Sequence, residues 1–216
     1  MDTPKLWRGR TLDDRSADRR AQIVDAGADL LGTSGSAAVT MREVIRRTNL
    51  SPRYFYESFD NRDALIIAIY DRSEGELLAR LAAAPATADL TATIRAALLI
   101  CATYFEEDPR RARILLREPM TDDTLRRHST HRLPLFLRTL VPALGEDAAA
   151  LIPDSEETLA VIGTALSGAL IALYVDWADG RLTLPREHLV DTATTIVLAL
   201  TERGTHRTSY PCIRGG

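Results

Sequence analysis

Residues 40–59 constrain the fold of this sequence more than any other stretch, because they contain start and stop signals for two short helices. Thr40 and Glu43 have the S/T-x-x-E spacing of a capping box, so a helix should begin at Met41. Asn49 tolerates the left-handed backbone conformation that ends helices. The first helix is therefore expected to cover residues 41–48.

A second short helix follows after a tight turn. Ser51 is a good N-cap, and Pro52 suits the first helical position, where its missing N–H costs nothing. Phe55 and Phe59 then share one helical face, which predicts that they belong to a core. Two helices joined in this way form a helix-turn-helix, whose second helix typically enters a DNA major groove.

The flanking residues extend this pattern in both directions. A helical stripe precedes it, formed by Ile23, Ala26, Gly27, Leu30 and Leu31. Another helix should follow it, capped by Asp60 or Asn61. Residues 20–66 contain, in this order, Ile-x-x-Ala, Gly, Val-Thr-x-x-x-Val, Leu-Ser and Phe-Tyr-x-x-Phe-x-x-Arg-x-x-Leu. This order resembles the TetR family of bacterial transcriptional regulators.

The sequence departs from the family pattern at four positions. Ser36 replaces a usual aromatic residue, Ile45 and Thr48 replace alanines, and Asn49 replaces a glycine. These differences affect packing and turn geometry but leave the residues expected to face DNA intact.

The resemblance implies an all-α fold with an N-terminal three-helix DNA-binding domain and a C-terminal helical ligand-binding and dimerisation domain. No strand pattern occurs after residue 70, which agrees with that fold. Pro119 is expected to stop one helix, and Pro134 to kink another. We predict a flexible basic arm at residues 1–15, the DNA-binding domain at 16–62, the larger domain at 63–204 and a loose tail at 205–216.

The expected DNA contacts follow from position on the two short helices and their flanks. Arg53 and Tyr54, early in the second helix, are the candidates for base contact. Tyr56 is expected to reach a phosphate, as the resemblance also implies. The remaining candidates face the DNA backbone: Thr40, Arg42, Ser51, Pro52 and Arg62.

Local charge agrees with a DNA-binding role although the whole chain carries a net charge of −3. Residues 5–20 contain six basic and three acidic side chains, and residues 40–62 contain five arginines and three acids. The positive charge therefore lies where DNA would bind. The N-terminal charges are equally consistent with a solvated arm that does not touch DNA.

A long stretch without charge at residues 158–175 predicts a subunit interface. Its Thr, Ser and Gly residues and the absence of a flanking basic cluster argue against a membrane span. Small residues would allow a second helix to approach closely, in the four-helix dimer arrangement that TetR-like proteins use. The interface candidates are Ile162, Gly163, Leu166, Ser167, Leu170, Thr195 and Ile196.

The middle of the chain supplies candidates for an effector pocket, although each of them is as consistent with a core role. Pockets between helices are mostly apolar with a few polar groups. The candidate lining residues are Leu98, Cys101, Tyr104, Phe105, Leu116, Arg117, His128, Phe136, Leu140 and Tyr174. Arg117 would favour an apolar or amphipathic molecule with an anionic head.

The sequence predicts a cytoplasmic, homodimeric, ligand-responsive regulator, most simply a repressor, with no cofactor, metal or catalytic residue. The only cysteines are Cys101 and Cys212, which fits a reducing compartment. One alternative is a ligand-independent structural DNA-binding protein. A helical enzyme without a recognisable motif is a weaker one, since His128 and His131 supply at most half a metal site.

Overall fold

A computed structural model describes residues 12–85, 89–132 and 155–205, and those residues form helices and turns with no strand. The predicted all-α fold is confirmed. The helices are α1 Leu12–Ser34, α2 Met41–Thr48, α3 Pro52–Ser58, α4 Arg62–Ala82, α5 Leu90–Glu107, α6 Pro109–Ala112, α7 Glu118–Thr121, α8 123–132, α9 Glu156–Ala178 and α10 Arg186–Thr205. A 3-10 turn, Ser36–Ala38, precedes α2, and a π turn, Arg113–Arg117, joins α6 to α7.

The chain divides into two compact units. The first comprises residues 1–79 and 104–135, and the second comprises residues 80–103 and 136–216. α1 begins at Leu12, so residues 12–15 of the expected flexible arm are helical. The domain boundaries expected from the sequence remain predictions.

The first unit has an apolar core contributed by α1, α2, α3 and α4. Its fully buried side chains include Ile23, Leu31, Val44, Phe55, Leu65, Ile66 and Ile69. The stripe predicted on α1 is therefore confirmed. A Cβ atom on Gly27 would lie 2.7 Å from Ile69 Cδ1, so the glycine lets α1 and α4 approach closely.

The sequence-based prediction for Pro119 is wrong, because the helical path continues through α7 to Thr121. The Glu118 N–H bonds to the Arg113 carbonyl, five residues back, which widens the helix just before the proline. Pro119 then occupies the first turn of α7, where a missing N–H costs little. The predicted kink at Pro134 lies outside the described residues. The predicted tail at 205–216 does too, apart from Thr205, which is the last residue of α10 rather than part of a tail.

In the second unit, α9 packs against α10. The Tyr174 hydroxyl donates to the Leu98 carbonyl at 2.8 Å, which ties α9 to α5. α9 is long and apolar enough to cross a membrane by length and composition alone, yet only 6% of its most apolar window is buried in the single chain. One such helix is weak evidence for a membrane span. Because so little of α9 is buried, a large apolar surface of this helix stays uncovered in the single chain.

Candidate nucleic-acid interface

The capping box predicted at the start of α2 forms only one of its two reciprocal hydrogen bonds. The Thr40 side chain accepts the Glu43 N–H at 3.2 Å. The Glu43 carboxylate, however, accepts hydrogen bonds from Arg46 and Arg47. These arginines hold the pKa of Glu43 down at about 2. Glu43 therefore orders the two arginines along α2.

The turn between α2 and α3 has the geometry that the sequence predicts. Asn49 adopts φ 53° and ψ 28°, the left-handed conformation expected at a helix end. Ser51 occupies the N-cap position of α3 in an extended conformation. Its hydroxyl makes no capping hydrogen bond. An exposed hydroxyl and the first N–H groups of α3 therefore lie together at this helix start.

Helix α3 separates a buried face from an exposed one. Phe55 and Phe59 are buried in the core, as predicted, whereas Tyr56 is 60% exposed. The Arg53 side chain is 83% exposed, and its Nε donates to the Glu57 carboxylate at 2.7 Å. The outer face of α3 thus carries hydroxyl, guanidinium and aromatic groups, the side-chain types used to contact DNA.

Two of the flanking candidates, Thr40 and Arg42, are exposed, whereas Arg62 contacts the protein. The Arg62 guanidinium donates to the Val39 carbonyl at 2.9 Å and lies 3.7 Å from the Asp122 carboxylate. It also donates to the Ser36 carbonyl. Arg62 at the start of α4 thus fastens the segment that leads into α2. Its contact with phosphate remains a prediction.

Sequence reasoning missed two arginines of α1 that lie against α3. The Arg19 guanidinium is 4.4 Å from the centre of the Tyr54 ring, and that of Arg20 is 4.1 Å from the centre of the Phe59 ring. Arg20 also donates to the Ser58 carbonyl at the end of α3. These contacts join positions more than 30 residues apart, so no local pattern could reveal them.

Three predicted effector-pocket residues lie in the second unit. Leu98 and Tyr174 are buried, and the Tyr174 hydroxyl donates its hydrogen bond to the Leu98 carbonyl. Burial raises the pKa of Tyr174 above its ordinary value and that of the Cys101 thiol to about 12. The Cys101 thiol therefore stays protonated at neutral pH and is a poor nucleophile.

Five other predicted pocket residues lie in the first unit. The fully buried Tyr104 donates its hydroxyl to the Ser73 carbonyl at 2.9 Å, and Phe105 is buried beside it. His128 Nε2 lies 2.6 Å from the Asp71 carboxylate. Leu116 and Arg117 are half-buried in the π turn. Phe136 and Leu140 lie outside the described residues, and the effector-binding role of the whole set remains a prediction.

The predicted interface residues lie on α9 and α10 and none of them is buried in the single chain. This group contains Ile162, Gly163, Leu166, Ser167, Leu170, Thr195 and Ile196. A Cβ atom added to Gly163 or Gly168 would meet nothing within 4 Å. Within the described part of the chain, no group of three His, Cys, Asp or Glu residues could hold a metal ion.

Comparison with known proteins identifies the N-terminal region. Residues 23–69 match the model for bacterial regulatory proteins of the tetR family. No curated protein sequence matches the chain. The match covers α2 and α3 entirely, together with the second half of α1 and the start of α4.

Solved structures share the fold across most of the chain. A TetR-like transcriptional regulator from Rhodococcus sp. RHA1 has a TM-score of 0.62 and 20% identity, covering 94% of this chain and 100% of its own. A tetR-family regulator from Streptomyces coelicolor has a TM-score of 0.67 and 17% identity, covering 87% and 82%. The regulator FadR from Bacillus subtilis, in complex with stearoyl-CoA, has a TM-score of 0.67 and 14% identity, covering 83% and 97%.

Proposed function

We propose that this chain, whose residues 23–69 match the tetR-family model, is a TetR-family regulator that represses transcription as a homodimer on a palindromic operator and is released by a small molecule. The observation that carries the proposal is the outer face of α3, where Arg53 and Tyr56 are exposed while Phe55 and Phe59 are buried. Such a helix can enter a major groove without losing its core contacts.

The division of labour on this face follows from side-chain chemistry. Arg53 can form two parallel hydrogen bonds to the edge of a guanine, and Tyr54 lies beside it early in α3. Tyr56, Ser51, Thr40 and Arg42 offer hydroxyl and guanidinium donors to phosphates. Pro52 sets the direction in which α3 begins. The Arg53–Glu57 ion pair would have to open when Arg53 binds a base.

The proposed dimer rests on the uncovered apolar surface of α9. Val161 is 70% exposed, and Ile162, Leu166 and Leu170 are only partly covered within the single chain. Contiguous apolar surface of this kind marks an interaction site in a water-soluble protein. The open space above Gly163 and Gly168 would admit a second helix. A two-fold dimer would place its two α3 helices, the proposed reading helices, on DNA half-sites about one turn of the duplex apart.

The proposed effector is an apolar or amphipathic small molecule, and the protein is expected in the cytoplasm. Apolar residues on α5 and α9 favour such a ligand. The structurally similar FadR from Bacillus subtilis was solved in complex with stearoyl-CoA, a molecule with an acyl chain and an anionic portion. Release requires that the effector bind the DNA-free conformation more tightly than the DNA-bound one.

Selection of duplexes from a random library, followed by an effector screen, tests the proposal. We expect a palindromic operator, and a class of small molecule that both raises the melting temperature and dissociates the operator complex. An operator whose affinity no small molecule changes would favour the alternative, a ligand-independent structural DNA-binding protein. Failure to select any sequence over nonspecific DNA would contradict the proposed operator recognition.

A further inference from the structure

The contact between Arg19 of α1 and Tyr54 of α3 joins the proposed reading helix to a neighbouring helix. The guanidinium carbon lies 4.4 Å from the ring centre, within the range of a cation–π interaction. Both side chains are partly exposed. The contact therefore lies partly at the surface, and Tyr54 directly follows Arg53 in the first turn of α3.

We propose that Arg19 is a positioning residue for operator recognition, which fixes the Tyr54 ring before DNA arrives and brings an unneutralised positive charge to the reading helix. The proposal rests on the proposed base-reading role of Tyr54. It adds a specificity-determining residue outside the helix-turn-helix.

Conformational entropy gives the first physical reason. A tyrosine on a helix surface can exchange between rotamers, and a ring that is free before binding loses that freedom when it contacts a base. A guanidinium stacked on one face of the ring restricts it in advance. Tyr54 then loses its side-chain entropy when the protein folds rather than when DNA binds. The tyrosine therefore binds the base that it fits more tightly.

Charge gives the second reason, and a comparison with Arg53 makes it clear. Arg53 forms an exposed ion pair with the Glu57 carboxylate, which offsets part of its charge before DNA binds. A cation–π contact with Tyr54 cancels no charge, because the ring is neutral. Arg19 therefore keeps its attraction for phosphates while it holds the ring.

The adjacent Arg20 provides a matched control, because its contacts stabilise α3 and do not involve Tyr54. It stacks on Phe59, which is buried in the core, and donates to the Ser58 carbonyl at the C-terminal end of α3. A cation at this end of a helix stabilises it. Loss of Arg20 should lower stability without changing which bases are preferred.

The test uses full-length protein and the operator selected for it, with one duplex for every single-base-pair change and one nonspecific duplex of equal length. Affinities are measured at two salt concentrations for Arg19→Gln, Arg19→Lys, Tyr54→Leu and the double variant Arg19→Gln/Tyr54→Leu. We expect Arg19→Gln to reduce discrimination about threefold to tenfold at the base pair that Tyr54 reads, as loss of a cation–π contact implies. Arg19→Lys should lie between wild type and Arg19→Gln, since lysine keeps the charge but loses the planar stack.

The double variant decides whether Arg19 acts through Tyr54. We expect it to discriminate no worse than Tyr54→Leu alone at that base pair, because the ring that Arg19 positions is already gone. Additive losses would overturn the inference, as would an equal loss on all sequences with only a shallower salt dependence. The control Arg20→Gln should lower the melting temperature and leave the base preferences unchanged.

A measurement without DNA separates this inference from the proposed function. NMR relaxation of the Tyr54 ring in the free protein should report more side-chain motion in Arg19→Gln than in wild type or Arg20→Gln. An unchanged ring would refute the positioning role even if an operator is found. If the ring loosens but Tyr54→Leu keeps every base preference, the base-reading role of Tyr54 is wrong and the specificity inference falls with it.

Discussion

At the residue scale, the side chains of α3 divide by burial into those that hold the helix and those that can bind DNA. Phe55 and Phe59 contribute to the core, and their loss would disturb everything that α3 carries. Arg53 and Tyr56 are exposed, so replacing them changes the surface with little effect on the fold. Substitutions at these two positions can therefore be interpreted as effects on binding.

We predict that Tyr56→Phe weakens binding to all duplexes alike, whereas Arg53→Ala relaxes preference at one base pair in each half-site. A phosphate hydrogen bond carries no sequence information and contributes about 1.5–3 kcal/mol because its acceptor is charged, while a good arginine–base contact discriminates between bases by about 1–3 kcal/mol. Titration of a panel of operator variants by fluorescence anisotropy measures both quantities. Equal loss of base preference in the two variants would contradict the assignment.

At this scale the sequence predicts helix caps and turns, which depend on neighbouring residues, but not contacts between residues that are far apart in the chain. The Thr40 cap, the left-handed Asn49 and the Ser51 position each depend on residues within four positions of one another. Arg19 and Arg62 contact groups 35 and 23 residues away, respectively, in arrangements that only the packed helices create. The sequence predicted DNA contacts near Tyr54, but it could not show which residue holds that ring.

At the element scale, close packing of α1 against α4 depends on a glycine. A Cβ atom on Gly27 would lie 2.7 Å from Ile69 Cδ1 and 3.3 Å from a Leu65 methyl carbon, too close without movement. Gly75 is also in α4, but a Cβ atom there would meet nothing within 4 Å. The two glycines form a matched pair, since one is required by packing and the other is not.

Gly27→Ala should therefore destabilise the protein, by about 1–3 kcal/mol, the usual cost of overpacking a core. Gly75→Ala should stabilise it by up to about 1 kcal/mol, because alanine favours a helix more than glycine does. Urea unfolding of both variants beside wild type gives the two differences directly. A stabilising effect of Gly27→Ala would mean that α1 and α4 can separate freely.

Asp122 caps α8 and makes that cap dependent on pH. Its carboxylate accepts the Thr124 and Leu125 N–H groups at 3.0 Å. Burial alone would raise the pKa of Asp122, but these hydrogen bonds and the nearby Arg62 outweigh it and lower the pKa below the ordinary 3.8. A carboxyl group with a lowered folded-state pKa stabilises the protein above the unfolded-state pKa and loses that contribution as pH falls through the folded-state pKa.

Asp122→Ala should accordingly cost about 1 kcal/mol near neutral pH, the typical value of a lost helix cap. The difference from wild type should shrink once the pH falls below about 4, where the unfolded carboxyl group takes up a proton. Unfolding free energies measured from pH 2 to 7 test this. A constant difference over the whole range would show that the charge of Asp122 contributes nothing.

The π turn before Pro119 shows why helix ends were harder to predict than helix existence. A proline predicts a stop when the preceding helix is regular, and no local signal indicated an irregular turn before Pro119. The i-to-i+5 hydrogen bond at Glu118 changes the register, and the proline then falls in a first turn. Glu118 itself is buried and accepts the Ser36 N–H at 2.8 Å and the Arg113 guanidinium at 3.0 Å. Tertiary contacts thus fix a local geometry that propensity alone would not produce.

At the scale of the whole molecule, the chain combines an N-terminal region that matches the tetR-family model with a second unit that leaves an apolar helix uncovered. Composition predicted this helix correctly, since residues 158–175 contain no charge. Composition argued against a membrane span, but it could not separate a buried core helix from a subunit interface, because both favour the same residues. Only 6% of its most apolar window is buried in the single chain, so nearly all of that surface is available to a partner.

Gly168→Arg tests the proposed dimer without testing the fold of the single chain. A Cβ atom on Gly168 would meet nothing within 4 Å, so an arginine fits within the chain itself. In a dimer formed through α9 the same guanidinium would be buried without a partner, at a cost of several kcal/mol. We expect a folded monomer by light scattering, with helical circular dichroism unchanged and operator affinity reduced. Thr183→Arg, at an exposed position outside α9 and α10, should remain a dimer. If Gly168→Arg is also a dimer at the same concentration, the subunits meet elsewhere and the apolar surface of α9 serves another partner.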